Sequence, residues 1–261
     1  MKIHHLNCGT LNVPTLPLIC HVLLVETADS LVLVDSGFGR DDCIDPARRL
    51  GAWRHLLRPS LDVSETAAAA VRRLGFRLDD VRHIVLTHFD VDHVGGATDF
   101  PHARIHADSR DIELVVEKPS RRNRLRYSST QWEHRPTLVG HSPQPEIWNG
   151  FHGVTPLTEI ADGILLIHMP GHTPGHSAVA VKGTDGWVLH CGDAFYHHST
   201  IEGKGTTPLL LRAQEAIIAT NRSDLYRNHA RLRELASRTD HDISIVCSHD
   251  PALLPSTGEK S

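Results

Sequence analysis

The segment HFDVDHVGG, residues 88–96, follows directly on the apolar run RHIVLT and constrains the fold more than any other feature of the sequence. It places four potential metal ligands within six residues at the end of a predicted strand. Alternate side chains of an extended stretch share a face, so His88, Asp90 and Asp92 point the same way until a turn brings in His93. One such loop can serve two cations, with further ligands supplied from other strand ends.

Three later segments repeat this theme of an imidazole or carboxylate just past a buried strand. The run MPGHTPGHS follows ILLIH, CGDAFY follows GWVLH, and CSHD follows ISIV. They place His172, Asp193 and His249 at strand ends, where loops from distant parts of a chain converge. The 21 histidines among 261 residues also favour metal binding, because neutral imidazole is the commonest protein ligand for metals. His176 is interpreted as a supporting residue rather than a ligand.

Hydrophobic periodicity predicts a mixed α/β (α+β) fold. Strands are predicted near 19–26, 31–35, 82–87, 104–107, 164–169, 177–182, 186–191 and 243–247. Helical spacing marks 64–74, 108–117, 208–219 and 223–237. Strands occur before, between and after the helices without the strict alternation of a doubly wound fold. The hairpin predicted at 177–191 requires antiparallel pairing.

The length predicts one domain over residues 1–251, followed by a flexible tail over 252–261. The segment 118–156 has little periodicity and is rich in Pro, Arg, Ser and His, which predicts a long excursion over the surface. Its basic run, Arg121 to Arg126, is either a solvated face or a clamp for an anionic substrate. Trp132 and Trp148 flank this run and are candidates for the apolar wall of a pocket.

Charge and composition exclude several other classes of protein. The 27 Lys and Arg against 31 Asp and Glu give a net charge of −4, which favours neither nucleic-acid binding nor a polybasic membrane anchor. No stretch has the ~18 apolar residues that a membrane span needs, and the start MKIHHLNCGT lacks the layout of a secretory signal. Five scattered cysteines predict reduced thiols. We therefore expect a cytoplasmic protein that binds neither membrane nor nucleic acid.

These motifs, in this order, resemble the metallo-β-lactamase superfamily, whose signature is H-x-H-x-D-H followed by a later His, an Asp and a final His. The early run LVDSG, residues 33–37, also resembles that family, so the likeness covers nearly the whole chain. It implies a four-layer αββα sandwich with two divalent metal ions at one edge. It further implies that one ion is held by His88, Asp90 and His172, the other by Asp92, His93 and His249, and that Asp193 bridges them.

The chain departs from that signature at Asp90, where the family has its second histidine. A carboxylate is a harder ligand than imidazole and adds negative charge. We therefore expect zinc at this centre, with Asp90 increasing the preference of the first site for Mn²⁺ or Fe²⁺.

Within the superfamily, the chain resembles the N-acyl-homoserine lactonases at the PGHTPGHS run, at DAFY and at the final SHD. The resemblance implies that Tyr196 helps to polarise a substrate carbonyl, and that Asp92 or Asp193 passes a proton to the leaving group. We therefore expect a binuclear metal-dependent hydrolase that acts on a small lactone or carboxylic ester.

Other functions use the same metal motif. A phosphodiester or phosphotriester hydrolase, a glyoxalase II-like thioesterase and an alkylsulfatase are alternatives, as is a metal-dependent binding protein without activity. The sequence also leaves a homodimer open.

Overall fold

The computed structural model describes residues 1–13, 16–239 and 242–255, which contain two six-stranded sheets. The N-terminal sheet comprises β1 (Lys2–Leu11), β2 (Leu18–Glu26), β3 (Leu31–Val34), β4 (Val81–Val85), β5 (Arg104–Asp108) and β6 (Thr137–His141). The C-terminal sheet comprises β7 (Glu146–Trp148), β8 (Phe151–Pro156), β9 (Ile164–His168), β10 (Ser177–Lys182), β11 (Trp187–His190) and β12 (Ile243–Val246).

Both sheets are mixed. In the N-terminal sheet, which follows the order β1 to β6, the first three strands are antiparallel and β3 to β6 are parallel. In the C-terminal sheet, which follows the order β12 to β7, only β11 and β12 pair in parallel. Because β9 and β11 both run antiparallel to β10, the strands β9, β11 and β12 end at the same edge.

Helices accompany both sheets. The α-helices are α1 (Arg40–Ile44), α2 (Pro46–Leu50), α3 (Trp53–Leu57), α4 (Ala67–Arg73), α5 (Val91–Val94), α6 (Ser109–Asp111), α7 (Arg121–Arg126), α8 (Ser199–Glu202), α9 (Leu209–Ile218) and α10 (Arg222–Ser237). A π-helical segment, Ile112–Glu117, continues α6. Short 3₁₀ helices occur at Val63–Glu65, Leu78–Asp80, Gly95–Asp99, Ser129–Trp132 and Pro251–Leu253. The longest helix, α10, is capped at its N-terminus by Asn221, whose side chain accepts two backbone N–H groups of the first turn.

The two sheets pack face to face over a buried apolar layer. Leu23 and Val85 of the N-terminal sheet and Leu166 and Val179 of the C-terminal sheet belong to this layer. The opposite face of each sheet is also covered, and this explains why β2 is buried continuously from Leu18 to Val25 instead of alternating.

Helices form the two outer layers. Val71 of α4 packs with Leu24 and Ile84 on the outside of the N-terminal sheet. Leu232 of α10 packs with Leu189 on the outside of the C-terminal sheet. The molecule is thus a four-layer αββα sandwich, which confirms the predicted fold.

The predicted surface excursion over 118–156 was wrong in part. This segment contains α7 and the strands β6, β7 and β8. The strands β6 and β7 are short and have no fully buried residue, so they lack the buried alternation that reveals a strand in a sequence. The strand β1 was also missed, because histidine and asparagine interrupt its apolar pattern.

The single domain over 1–251 stays a prediction. Of the predicted tail, residues 252–253 belong to the 3₁₀ helix Pro251–Leu253, whereas 256–261 lie outside the described residues. Within the part of the chain that the structure describes, no helix is both long and apolar enough to cross a membrane.

Candidate metal centre

All predicted ligands lie just past the carboxyl ends of four strands. His88 follows β4, and Asp92 and His93 lie in the one-turn helix α5 that comes next. The others follow β9, β11 and β12, and they are His172, Asp193 and His249. The end of β4 in the N-terminal sheet and the ends of β9, β11 and β12 in the C-terminal sheet thus lie at one edge of the sandwich. This brings together residues that are far apart in the sequence.

The first group of potential ligands consists of His88, His172 and Asp193, all buried. Their ligand atoms lie within 4.8 Å of one another. Oδ2 of Asp193 is 3.4 Å from Nε2 of His172 and 3.9 Å from Nε2 of His88.

The second group consists of Asp92, His93 and His249, also buried and within the same 4.8 Å limit. Oδ2 of Asp92 is 3.6 Å from Nε2 of His249. Oδ1 of Asp193 is 3.1 Å from the same nitrogen and 3.2 Å from Nε2 of His93. Oδ2 of Asp193 is 3.3 Å from Nε2 of His249 as well. The carboxylate of Asp193 therefore lies between the two groups, as a bridging ligand would.

The hydrogen bonds of three histidines fix their Nδ1–H tautomers. Nδ1 of His249 donates to the carbonyl of Ile19 at 2.9 Å. Nδ1 of His93 donates to the carboxylate of Asp35 at 2.9 Å. Nδ1 of His88 lies 3.0 Å from the hydroxyl of Thr87, whose own proton goes to Asp35. In each imidazole Nε2 faces the cluster and is the ring nitrogen available to bind a metal.

The donor set fits divalent cations. Among the described residues, Nε2 of His88, Nε2 of His93 and Oδ1 of Asp193 are buried without a hydrogen-bond partner. Leaving buried polar atoms unsatisfied costs free energy, and three of them facing each other would be unfavourable without a ligand. Imidazole nitrogens together with carboxylate oxygens are ligands that suit zinc and its neighbours.

Asp35 is a supporting residue whose role the sequence reasoning missed. Its buried carboxylate accepts the N–H and hydroxyl of Thr87 at 2.8 Å each, besides Nδ1 of His93. Although burial opposes ionisation, the His93 imidazole lowers the pKa of Asp35. Its position at the end of a buried strand, in the run LVDSG, was the available signal.

His176 is a supporting residue, as interpreted. Its Nδ1–H donates to the carbonyl of Met169 at 2.9 Å, and its Nε2 accepts the backbone N–H of Asp193 at 3.1 Å. His176 therefore positions the loop that carries Asp193. The neighbouring Gly192 has φ +52°, and a Cβ there would lie 2.8 Å from Nε2 of His176.

Asp90 lies at the edge of the first group but is also paired with Arg126. Its Oδ2 is 2.9 Å from Nε2 of His172 and 3.2 Å from Nε2 of His88. Arg126 donates from Nε to Oδ1 at 2.8 Å and from Nη2 to Oδ2 at 2.6 Å. Although burial opposes ionisation, this guanidinium holds the pKa of Asp90 well below its usual range. The assignment of Asp90 as a metal ligand stays a prediction.

Arg126 is the arginine of the basic run that reaches the site. Its Nη2 is also 2.9 Å from Nε2 of His172. The other arginines of α7 are exposed: Arg121, Arg122 and Arg124. The run is thus mostly a solvated face, and its last member neutralises a buried carboxylate beside the metal centre.

A small pocket opens over the two groups. Tyr196 lines it and packs its ring 5.1 Å from the ring of His249. Its apolar wall is formed by Leu11, Leu18, Trp53, Leu57, Val91 and Ile218. The two tryptophans considered from the sequence lie elsewhere, since Trp132 packs on Phe89 and Trp148 on Trp187.

Glu215 of α9 supports Tyr196 and gives a prediction on stability. Its carboxyl group accepts the backbone N–H of Tyr196, and burial raises its pKa to about 8. Between pH 6.5 and 8 the folded protein retains this proton while the unfolded chain has lost it, so stability falls as the pH rises. Burial lowers the pKa of the nearby His229 to about 4. Above pH 6.5, His229 therefore contributes little to the change of unfolding free energy with pH.

In the wild type, Glu215 is expected to lower the unfolding free energy by up to about 2 kcal/mol between pH 6.5 and 8. We expect Glu215→Gln to abolish this decrease. Denaturant unfolding of the metal-saturated protein across this range measures the effect. The exposed Glu234 on α10 offers a matched control, and Glu234→Gln is expected to leave the wild-type slope intact. Equal slopes in wild type and Glu215→Gln would contradict the raised pKa.

Comparisons with known proteins agree with this geometry. Residues 15–236 match the model of the metallo-beta-lactamase superfamily. A protein of Mycobacterium tuberculosis named as a probable metallo-hydrolase is 53% identical over 253 residues, which cover 97% of this chain and 81% of that protein. An N-acyl homoserine lactonase of Bacillus cereus is 24% identical over 195 residues, covering 73% of this chain and 69% of that protein.

Solved structures share the fold. An N-acyl homoserine lactone hydrolase with N-hexanoyl-L-homoserine bound at its catalytic metal centre superposes with a TM-score of 0.67 at 18% identity, over 96% of this chain and 94% of that chain. A dizinc quorum-quenching lactonase superposes with a TM-score of 0.60 at 16% identity, over 90% of this chain and 74% of that chain.

Proposed function

This chain belongs to the metallo-β-lactamase superfamily and is a metal-dependent hydrolase, and from that premise we propose that it opens lactones or cleaves carboxylic esters. The observation that carries the proposal is the pocket. Its floor includes four members of the ligand groups, and its apolar wall includes Leu11, Trp53 and Ile218. Such a pocket suits an ester or lactone with an aliphatic acyl group.

The residues that would hold the metals follow from the geometry. We propose that His88, His172 and Asp193 hold one divalent ion, zinc by its ligand chemistry, with Asp90 as an additional ligand when Arg126 releases it. Asp92, His93 and His249 would hold the other, with Asp193 shared. Bound cations of this kind lower the pKa of water and polarise a substrate carbonyl.

Tyr196, which lies beside the ligand groups, and the ligand Asp92 have further chemical roles in this proposal. The phenol of Tyr196 lines the pocket and donates a hydrogen bond to the carbonyl oxygen as negative charge develops there. The carboxylate of Asp92 also lines the pocket. In this proposal its oxygen that is not bound to a cation takes a proton from the attacking water and passes it to the departing alkoxide oxygen.

The pocket argues against an anionic phosphoester as the substrate. Among the described residues that line it there is no lysine or arginine. The guanidinium of Arg126, which lies beside it, is already neutralised by Asp90. A phosphodiester would therefore find no unpaired cationic side chain in this wall.

The test is a substrate panel on the metal-loaded protein, with acyl-homoserine lactones, aryl esters, thioesters, phosphodiesters and phosphotriesters. We expect turnover of lactones or esters, with efficiency increasing as the acyl chain lengthens from acetyl to hexanoyl. Turnover of phosphoesters without lactones or esters would overturn the proposal. Full metal content with no turnover of any substrate would indicate a binding protein.

Replacing Tyr196 with phenylalanine tests the role of its hydroxyl. The ring contact with His249 remains, so metal content and folding are expected to be unchanged. We expect kcat for the best lactone or ester to fall about 10²-fold, the scale of one lost oxyanion donor. An unchanged kcat would reduce Tyr196 to a packing residue. Tyr226→Phe, at an exposed tyrosine of α10, serves as the matched control.

A further inference from the structure

A second cluster of imidazoles crosses three parallel strands of the N-terminal sheet. His83 of β4, His106 of β5 and His141 of β6 form a chain of hydrogen-bonded rings. Nδ1 of His83 is 2.9 Å from Nε2 of His106, and Nδ1 of His106 is 3.0 Å from Nε2 of His141. None of these residues belongs to the ligand groups of the catalytic centre.

A carboxylate from the other sheet completes this cluster. Glu159 lies in the connection between β8 and β9, and its Oε1 is 3.7 Å from Nδ1 of His106 and 3.7 Å from Nε2 of His141. The three ligand atoms of His106, His141 and Glu159 therefore form a triangle with sides of 3.0, 3.7 and 3.7 Å.

This triangle has the dimensions of a metal site. A cation about 2.1 Å from each of two ligand atoms at a tetrahedral angle places those atoms about 3.4 Å apart. The observed sides bracket that value, so a cation reaches all three atoms with small side-chain adjustments. Two histidines and one glutamate form a set that zinc uses in proteins, with the fourth position open to water.

The surroundings keep these imidazoles neutral, which is the form that binds a cation. His106 is fully buried, and burial, with His83 and His141 nearby, lowers its pKa to about 3. Burial also lowers the pKa values of His83 and His141. All three rings are thus neutral at physiological pH. His83 can accept the Nε2–H of His106, which selects the tautomer whose Nδ1 lone pair points at His141 and Glu159.

We propose that His106, His141 and Glu159 form a further zinc site, distinct from the catalytic centre, which links the two sheets. His106 and His141 belong to the N-terminal sheet, whereas Glu159 belongs to the C-terminal half. A cation held by both adds a cross-link between the layers, besides their apolar packing and polar contacts such as His168–Asp108. Glu159 is 42% exposed, so the site is open to metal from solution.

Zinc stoichiometry tests this site directly. We expect the zinc-saturated wild type, after removal of loosely bound metal, to hold one equivalent more than His141→Gln and Glu159→Gln. Both side chains are partly exposed, so these variants are expected to fold and to retain wild-type hydrolysis. His152→Gln and Glu146→Gln, at exposed positions of β8 and β7, are the matched controls and are expected to bind as wild type. Equal zinc content in all five proteins would overturn the proposal.

A second measurement separates this site from the catalytic one. In an Asp193→Ala background, where the catalytic ions are expected to be lost, one zinc is expected to remain. Added zinc at about 100 times its Kd is expected to raise the Tm of that protein by roughly 5 °C. Adding His141→Gln to the same background is expected to abolish both the bound zinc and the shift. Absence of zinc from a folded Asp193→Ala protein, with no shift in Tm, would refute the site whatever the substrate of the enzyme proves to be.

Discussion

Asp193→Ala is expected to lose close to two metal ions per chain and to lower hydrolysis by more than about 10³-fold. The carboxylate of Asp193 directs Oδ1 at His93 and His249 and Oδ2 at His172. Removal of a ligand shared by two cations weakens both sites at once. Replacement of a ligand that serves one cation is expected to remove about one ion.

Metal analysis after gel filtration, together with kcat/KM on the best lactone or ester, measures this effect. Asp185→Ala, at an exposed aspartate in the turn of the β10–β11 hairpin, is the control and is expected to retain both ions and full activity. Loss of a single ion from Asp193→Ala with hydrolysis intact would contradict the bridging role.

Arg126→Ala is expected to destabilise the metal-free protein by about 3–5 kcal/mol, the usual cost of leaving one partner of a buried ion pair unpaired. The guanidinium and the Asp90 carboxylate form two hydrogen bonds, and both side chains are about 15% exposed. Without Arg126, the negative charge of Asp90 faces His88 and His172 alone.

The same variant is expected to bind a divalent cation at the first site at least ten times more tightly than wild type, because the cation replaces the lost positive charge. Metal should therefore restore most of the lost stability. Denaturant unfolding in chelator, and then with Zn²⁺ or Mn²⁺, gives both quantities. Arg124→Ala, at an exposed residue of the same helix, is expected to match wild type in both.

Unchanged cation affinity in Arg126→Ala would show that Asp90 does not bind the metal and that Arg126 is only its structural partner. Tighter binding would show that Arg126 competes with the first ion for Asp90. The outcome thus decides the one ligand assignment that departs from the family signature.

The sequence predicted which residues meet at the candidate metal centre because their signal is local. Each ligand stands directly after an apolar strand, and His88 to His93 lie in one short run. A buried strand is recognisable from its own residues, and the edge where strands end is where ligands meet. The structure accordingly brings His172, Asp193 and His249 to the predicted place.

What the sequence could not predict depends on contacts between distant segments. Nothing local distinguishes Arg126 from the other arginines of α7, and only the packing of that helix brings it to Asp90. Likewise His83, His106 and His141 come together only because β4, β5 and β6 are neighbours in the sheet. Individually, each of these histidines looked like an ordinary surface or core residue.

The division of the ligands between the two halves of the chain has a consequence for biosynthesis. The carbonyl of Ile19, in the second strand, holds His249, which lies 230 residues later. During translation the nascent chain therefore exposes His88 to His93 long before their partners exist. Closing such long loops is slow compared with forming helices. We infer that the second ligand group can close around its ion only after the segment that carries His249 has left the ribosome.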